Sequence, residues 1–477
     1  MLKIYDQDAG HPAVLCGNKE YTYGQLISDT QQLCSAFLCG NIRKVAIIAP
    51  QSYRAYCAIW ATYLAGGTFC CINADYPEQR KLECLRLFEP DLVLCDTEIP
   101  LWDGGPVRGL DDYDEEAPAE PAHNCFVAPN EIAYVLFTSG STGVPKGVRI
   151  RRDALEQVIQ TAQETFALSP QDVGGQYSNI SFDMGICDVF AMISSGVKMV
   201  TVAGIGKLLP AVFIERQKIT FWYSVPNVLD LMEKRGDLTA KRLGSLRCIG
   251  FGGATLFQRH VEKLFQCNPT LTVVNTYGPT EITIFSSAVP MQVHNYLNYC
   301  DGSACLGKDI AHVQQKLRLC DDGLYEVVVY GEHVMDGYLV PGRSDCTLRQ
   351  TDLAEFATGD LVRVKDGQLY FVCRNDSQVK IQGNRVDLSE IDSALRRLGV
   401  ENEVVLAVDG VLVAFIERGK IPVADNLREQ MANDLPAYCI PSLVIQLDTM
   451  RYNSNGKYDR KALTEIARQL LAKKADE

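Results

Sequence analysis

The sequence lacks a Cys-x-x-Cys pair, a His-Glu-x-x-His stretch and any Cys/His cluster. Its six histidines are dispersed, which argues against a structural or catalytic zinc site. It also lacks an excess of basic charge. Lys and Arg number 46 against 59 Asp and Glu, for a formal net charge of −13. A general nucleic-acid binder needs clustered cations to meet phosphates, so no nucleic-acid partner is expected, although a local site for a nucleotide stays open. No signal peptide is recognisable, and the eighteen cysteines are scattered, so they read as reduced, mostly buried thiols in a cytoplasmic protein. Low-complexity segments and repeats at solenoid periods are missing as well. One charge-free stretch, Ala55 to Ile72, is long enough to cross a bilayer, but Tyr56, Thr62, Tyr63 and Gly66-Gly67 interrupt it. It reads instead as a buried helix, a glycine turn and a core strand, Thr68 to Ile72, and no membrane partner is expected.

What is present is the composition of a soluble globular protein, 47% apolar and 22% charged over 477 residues. At roughly 150 residues per domain, two or three compact units are expected. Helical periodicity over Tyr23 to Leu38 and Ser52 to Leu64 alternates with an apolar strand at Lys44 to Ala49, the pattern of α/β layers with parallel strands. Further strands are predicted at Ala133 to Thr138, Lys198 to Val202, Phe221 to Val225 and Leu246 to Phe251, and Leu101 to Asn130 reads as a surface loop. After about Gly302, short strands such as Glu326 to Tyr330 and Gln368 to Val372 between Gly and Asp turns predict an antiparallel, β-barrel-like part. The polar run Cys373-Arg374-Asn375-Asp376-Ser377 marks a boundary. The expected architecture is a large, multi-layer α/β domain over 1–374 and a small, mobile α+β domain over 375–477.

The strongest local signal is Thr138-Ser139-Gly140-Ser141-Thr142-Gly143-Val144-Pro145-Lys146-Gly147, directly after an apolar strand. Glycines let backbone N–H groups approach an anion, hydroxyls add donors and Lys146 adds a positive charge, so the segment suits a polyphosphate. Read alone, it is also compatible with a flexible polar loop. It is not a Walker A loop, because G-x4-G-K-[ST] is absent and Val148-Arg149-Ile150 reads as strand rather than helix.

At this loop the sequence resembles the adenylate-forming superfamily, and further motifs follow in the family's order: Asn275-Thr276-Tyr277-Gly278-Pro279-Thr280-Glu281, Thr358-Gly359-Asp360-Leu361, Arg374 to Glu390, and Asn455-Gly456-Lys457-Tyr458-Asp459-Arg460. Upstream, Tyr21-Thr22-Tyr23 to Leu26 and Ala65-Gly66-Gly67 to Tyr76-Pro77 also match, so the resemblance covers essentially the whole chain. It implies two steps: a carboxylate attacks the α-phosphorus of ATP and releases pyrophosphate, then a thiol attacks the acyl-adenylate. By resemblance, Thr138, Ser139, Gly140, Ser141, Thr142, Gly143, Lys146, Asn275, Thr276 and Tyr277 bind ATP, Tyr277 lying near adenine. Thr280 contacts the α-phosphate, and Glu281 helps hold Mg2+. Asp360 takes the ribose hydroxyls and Arg374 adds a second ribose contact. Where a Tyr-Arg pair is common in the family, this chain has Phe356-Ala357. Lys457 reaches the carboxylate and α-phosphate during adenylation, Asp376 is the hinge of the small domain, and Gly383 belongs to the loop that faces the site during thiolation.

Phe182-Asp183 resembles the motif of amino-acid-activating members, in which the Asp pairs with the substrate ammonium; read alone, Asp183 also fits a helix N-cap before Met184. Alignment on the motifs places Met184, Cys187, Val228, Ile249, Phe251, Thr276, Ile284 and Phe285 around the substrate side chain. No second charge faces it, which predicts a small or medium apolar amino acid, with alanine, proline, valine and glycine as candidates. The implied acceptor is the phosphopantetheine thiol of a carrier protein supplied in trans, since the sequence stops soon after the lysine motif; free coenzyme A stays open as acceptor. An acyl- or aryl-coenzyme A ligase, or a non-catalytic adenylate-binding relative, are the alternatives. Asp183 speaks against the first, and Glu281, Asp360 and Lys457 together against the second.

Overall fold

The computed structural model describes residues 2, 4, 6–96, 102–110, 112, 131–138, 145–320, 323–339, 354–381, 383–400, 403–417, 426–451 and 458–476. Its contacts divide the chain into two units. The larger holds Met1–Ala74, Leu85–Phe137 and Gly147–Asn375; the smaller holds Asp75–Cys84, Thr138–Lys146 and Asp376–Glu477. The sequence boundary had left 75–84 and 138–146 in the larger body. Long-range contacts group them otherwise, and a linear reading has no means of seeing these: Arg80 pairs with Glu390 at 2.9 Å, and the Tyr76 and Tyr438 hydroxyls meet at 3.2 Å.

The larger unit is built on two sheets with parallel centres. One has nine strands in the order Lys308–Asp309, Ser287–Met291, Thr272–Tyr277, Cys248–Phe251, Phe221–Ser224, Val173–Gln176, Lys198–Thr201, Pro12–Cys16 and Lys19–Thr22. From Thr272–Tyr277 to Pro12–Cys16 all neighbours run parallel. The other has seven strands, with Thr68–Ile72, Lys44–Ile48 and Leu92–Cys95 at its parallel centre. Such strands bury both faces and are therefore apolar throughout, as Cys-Ile-Gly-Phe at 248–251 illustrates.

Local chemistry sets the element ends. Thr22 caps the helix Tyr23–Cys39 in a reciprocal box, its hydroxyl accepting from Gln25 N–H while Gln25 Oε1 accepts from Thr22 N–H. Ser52 is the cap of Tyr53–Leu64 rather than its first turn, and every residue of that helix except Arg54 is buried. The charge-free stretch is thus a core helix followed by the strand Thr68–Ile72, and among the described residues no helix is long and apolar enough to cross a membrane. Lys146–Arg151 is a strand, as the rejection of a Walker A loop requires. The region read as a surface loop contains a three-residue edge strand, Val107–Gly109, parallel to Leu92–Cys95. Pro106 and the neighbouring glycines masked so short a strand; most of the remaining loop lies outside the described residues.

Beyond Gly302 come four antiparallel strands, Val313–Leu319, Tyr325–Gly331, Glu355–Lys365 and Gln368–Arg374. Among the described residues the first and last of these do not pair, so the part expected to be barrel-like is an open sheet. In the smaller unit a hairpin, Gln378–Ile381 and Asn384–Asp387, leads into the helix Leu388–Arg397. A three-stranded sheet, Glu403–Val408, Val411–Glu417 and Leu443–Leu447, then packs separate apolar cores on its two faces. Mixed α/β layers with a second, smaller unit are the architecture expected.

Candidate active site

The sequence motifs of the larger unit converge at the carboxyl ends of the parallel strands Phe221–Ser224, Cys248–Phe251 and Thr272–Tyr277, where open α/β sheets present their ligand crevices. Tyr277 ends the last of these and donates its hydroxyl to Asp360 Oδ2 at 2.7 Å. Arg374, cross-strand neighbour of Asp360, donates to Oδ1 at 2.5 Å and to the Thr358 carbonyl at 2.8 Å. Asp360 is 2% exposed, and such a charge needs this cation and this phenol. A carboxylate offers about four lone-pair sites, so two remain for further donors. Burial and the Asp360 charge hold the Tyr277 phenol well above its usual pKa.

Immediately after this strand, Thr280–Ile282 forms a short 3-10 turn that buries Glu281. Its Oε1 accepts from the Tyr338 hydroxyl at 2.8 Å. The two following residues, Thr283 (φ 54°) and Ile284 (φ 73°), lie in the left-handed region, a costly conformation for β-branched side chains. The Thr283 hydroxyl donates to the His333 carbonyl at 2.7 Å, which holds the turn in place. Nothing in the local sequence signals this backbone.

Asp183 opens the helix Asp183–Ser194, and Phe182 is the cap; the carboxylate accepts from Met184 N–H at 2.8 Å. Asp183 therefore serves the first turn from inside the helix, rather than as the N-cap of the alternative reading. Burial above all suppresses the acidity of Tyr134, Cys187 and Tyr223, with the Asp183 charge adding to it at all three and the buried Asp188 adding to it at Cys187 and Tyr223.

The expected pocket wall divides between two cores. Met184, Cys187, Ile284 and Phe285 share one with Tyr223, Cys248 and Val274, and Thr276 joins them through a 2.9 Å hydrogen bond with the Tyr223 hydroxyl. Val228, Ile249 and Phe251 belong to the other core, with Trp222 and Val273. Side chains alternate along a strand, so Ile249 and Phe251 point to the opposite face of the nine-stranded sheet from Asp183. The residues that share the Asp183 face are Gly250 and, past the strand end, Gly252: a Cβ on Gly250 would lie 2.8 Å from Tyr223 Cδ2, and one on Gly252 would lie 2.6 Å from Thr276 Oγ1. Alternation counted from Phe221, Trp222 and Tyr223 would have found them. Asn275 also faces away, opposite Phe251, donating to the Cys305 carbonyl at 2.8 Å.

Thr138 ends one strand and Lys146 begins the next, while Ser139, Gly140, Ser141, Thr142 and Gly143 lie outside the described residues, as does Lys457. In the smaller unit, Asp376 accepts from Gln378 N–H at 3.0 Å, and Gly383 (φ 84°) turns the hairpin that follows. One trio able to hold a metal occurs among the described residues away from this site, Asp230, Glu233 and His260; Arg259 and Lys263 balance its carboxylates, making it an ion-pair network.

A family model described as AMP-binding enzyme matches residues 4–339. Gramicidin S synthase 2 of Brevibacillus brevis is 28% identical over 95% of this chain, and phenyloxazoline synthase MbtB of Mycobacterium tuberculosis is 31% identical over 95%. This chain spans 11% of the former and 33% of the latter. Among solved structures, the Vibrio cholerae adenylation domain AlmE in complex with glycyl-adenosine-5'-phosphate superposes with a TM-score of 0.84 at 25% identity, over 97% of this chain and 95% of that one. The holo form of PA1221, a nonribosomal peptide synthetase protein containing adenylation and PCP domains, shares the fold with a TM-score of 0.79 at 24% identity, over 97% and 85%. The motif order, the Tyr277–Asp360–Arg374 cluster and these matches lead to one conclusion: the chain belongs to the AMP-binding, adenylate-forming enzymes, as an adenylation domain of the kind found in nonribosomal peptide synthetases.

Proposed function

We propose that the protein activates a small apolar amino acid with ATP as the aminoacyl-adenylate and passes it to the phosphopantetheine thiol of a separate carrier protein. The observation that carries this reading is Asp183, a carboxylate in the first turn of a buried helix and within electrostatic reach of the buried Tyr134, Cys187 and Tyr223. An ammonium group brought there without a counter-charge would cost several kcal/mol, and Asp183 supplies it. Asp360, with acceptor capacity beyond Tyr277 and Arg374, takes the ribose hydroxyls. The donor set also fits Mg2+, a hard cation that takes carboxylate oxygen: Glu281 is buried and oriented by Tyr338, and the ion would neutralise charge on the phosphate oxygens. Thr280 is assigned to the α-phosphate, and Lys457 to the bridge between carboxylate and α-phosphate. Asp376 and Gly383 are assigned to hinge and thiolation loop.

The glycyl-adenylate held by AlmE and the PCP domain within PA1221 support an amino acid as substrate and a carrier as acceptor. Substrate-dependent exchange of pyrophosphate into ATP, run across amino acids, aryl acids and fatty acids and followed by loading of a holo-carrier protein or coenzyme A, tests the proposal. Activity with amino acids and transfer to the carrier is the expected result. Preference for an acid without an amine, or exclusive transfer to coenzyme A, would assign the protein to the acyl- or aryl-coenzyme A ligases instead.

A further inference from the structure

We infer that Tyr223 sets the depth of the substrate pocket, its phenol ring lying across Gly250 and Gly252 so that only glycine or alanine fits among the apolar candidates. The inference rests on the amino-acid reading above and narrows it. Tyr223 is the direct cross-strand neighbour of Gly250 and is 1% exposed. A Cβ on Gly250 would meet its Cδ2 at 2.8 Å, and a Cβ on Gly252 would meet its hydroxyl at 3.1 Å. Tyr223 thus reaches both positions on this face where the strand end offers no side chain of its own, sharing the space over Gly250 with Phe166, whose Cε1 an added Cβ would also meet at 2.8 Å. Phe166 flanks the Tyr223 ring over Gly250, with ring centroids 5.2 Å apart.

The hydroxyl end is fixed as firmly as the ring. Thr276 donates its single hydroxyl proton to the Phe251 carbonyl at 2.9 Å, so in the Tyr223–Thr276 contact, also 2.9 Å, the tyrosine is the donor. This chain ties the phenol to the backbone at the end of Cys248–Phe251. Asp183 and Cys187 lie within electrostatic reach of the same phenol. A substrate whose ammonium meets Asp183 and whose side chain turns toward Thr276 and Phe285 thus meets the Tyr223 ring early. An aromatic neighbour that merely fills the space above a strand glycine would support stability alone. A ring that also limits the pocket changes the order of substrates.

The test compares pyrophosphate exchange by wild type, Tyr223→Phe, Tyr223→Leu and Tyr223→Ala across glycine, alanine, valine, leucine and phenylalanine. An amine-free series of matching size, from acetate to phenylpropionate, is run alongside. Wild type should favour glycine or alanine over leucine by on the order of 100-fold, at about 1 to 3 kcal/mol for each methylene excluded. Tyr223→Leu and Tyr223→Ala should narrow that ratio by about 10-fold or more, whereas Tyr223→Phe, equal in volume, should keep the order. If wild type prefers the amine-free series, the amino-acid reading fails, and the shift toward larger acids is read within that series instead. Should Tyr223→Ala not fold, Tyr223→Leu carries the test. The inference is overturned if folded variants lose thermal stability but keep the wild-type order of acids, or if wild type itself favours leucine or phenylalanine.

Discussion

The two halves of the site are built on different principles. Around Asp360 the chain gathers charge and satisfies it: a carboxylate, a guanidinium and a phenol close on one another within 2.5–2.7 Å. Around Asp183 it gathers shape, with an apolar helix face, two glycines and a buried tyrosine. The comparison teaches where each kind of substitution should hurt. A charge cluster fails when a member is removed, because the remaining charge is stranded, while a shaped surface fails by degrees and changes what it admits.

The largest expected effect is therefore at Asp360. Asp360→Ala strands Arg374 in a site where it is nearly buried and removes the proposed ribose acceptor, so pyrophosphate exchange should fall on the order of 100-fold or more and the melting temperature should drop. Asp360→Asn, which keeps one acceptor, should be milder, and equal activity of all three proteins would dissolve the cluster's role. Next in size is Asp183→Ala, which should raise KM for the amino acid by about 10² or more with less change in kcat, because the lost contact serves ground and transition states alike. Undiminished activity would refute the ammonium contact and leave Asp183 its helix-end role alone.

A smaller effect concerns acid stability. Burial pushes the His333 imidazole down to about 4 from its usual 6.5, and its Nε2 lies 3.1 Å from Gln157 Oε1. The unfolded chain then binds the extra proton between these two values, so stability should be full above pH 6.5 and decline as pH falls toward 4. His333→Gln should flatten that decline in thermal melts between pH 7 and 4.5; an unchanged slope would place the acid sensitivity elsewhere. Least of all should change when Phe251 is altered. Phe251→Leu should cost about 1 to 2 kcal/mol in denaturant melts yet leave the order of substrates untouched, because the side chain faces the other core. A shift in that order would return Phe251 to the pocket wall.

The sequence made the charged half of the site legible and left the shaped half partly hidden. Tyr277, Glu281, Asp360 and Arg374 stand in motifs whose turns are local, so their order along the chain is enough to bring them forward. The framework was readable for a similar reason. Thr22 with Gln25, and Ser52 before an unbroken apolar helix, carry their own end signals. Ile249 and Phe251 went to the wrong face because a central parallel strand is apolar on both sides, so hydrophobicity alone gives no phase. The glycines at 250 and 252 look like weak points of a strand until the ring over them is seen. The grouping of 75–84 with the smaller unit needed contacts, such as that of Arg80 with Glu390, separated by hundreds of residues.

Ile284 has an evolutionary side. Its side chain lies in the same core as Met184 and Cys187, the wall proposed above, yet its backbone sits at φ 73°, held there through Thr283 and the carbonyl of His333. A residue proposed to help define the acceptable acid is thus kept in place against its own preference by a partner about fifty positions away. Drift at 283 or 333 would be inherited by the pocket without any change in the residues that line it. Two descendants with identical linings could then part ways in what they activate, and a comparison of linings alone would not foresee it.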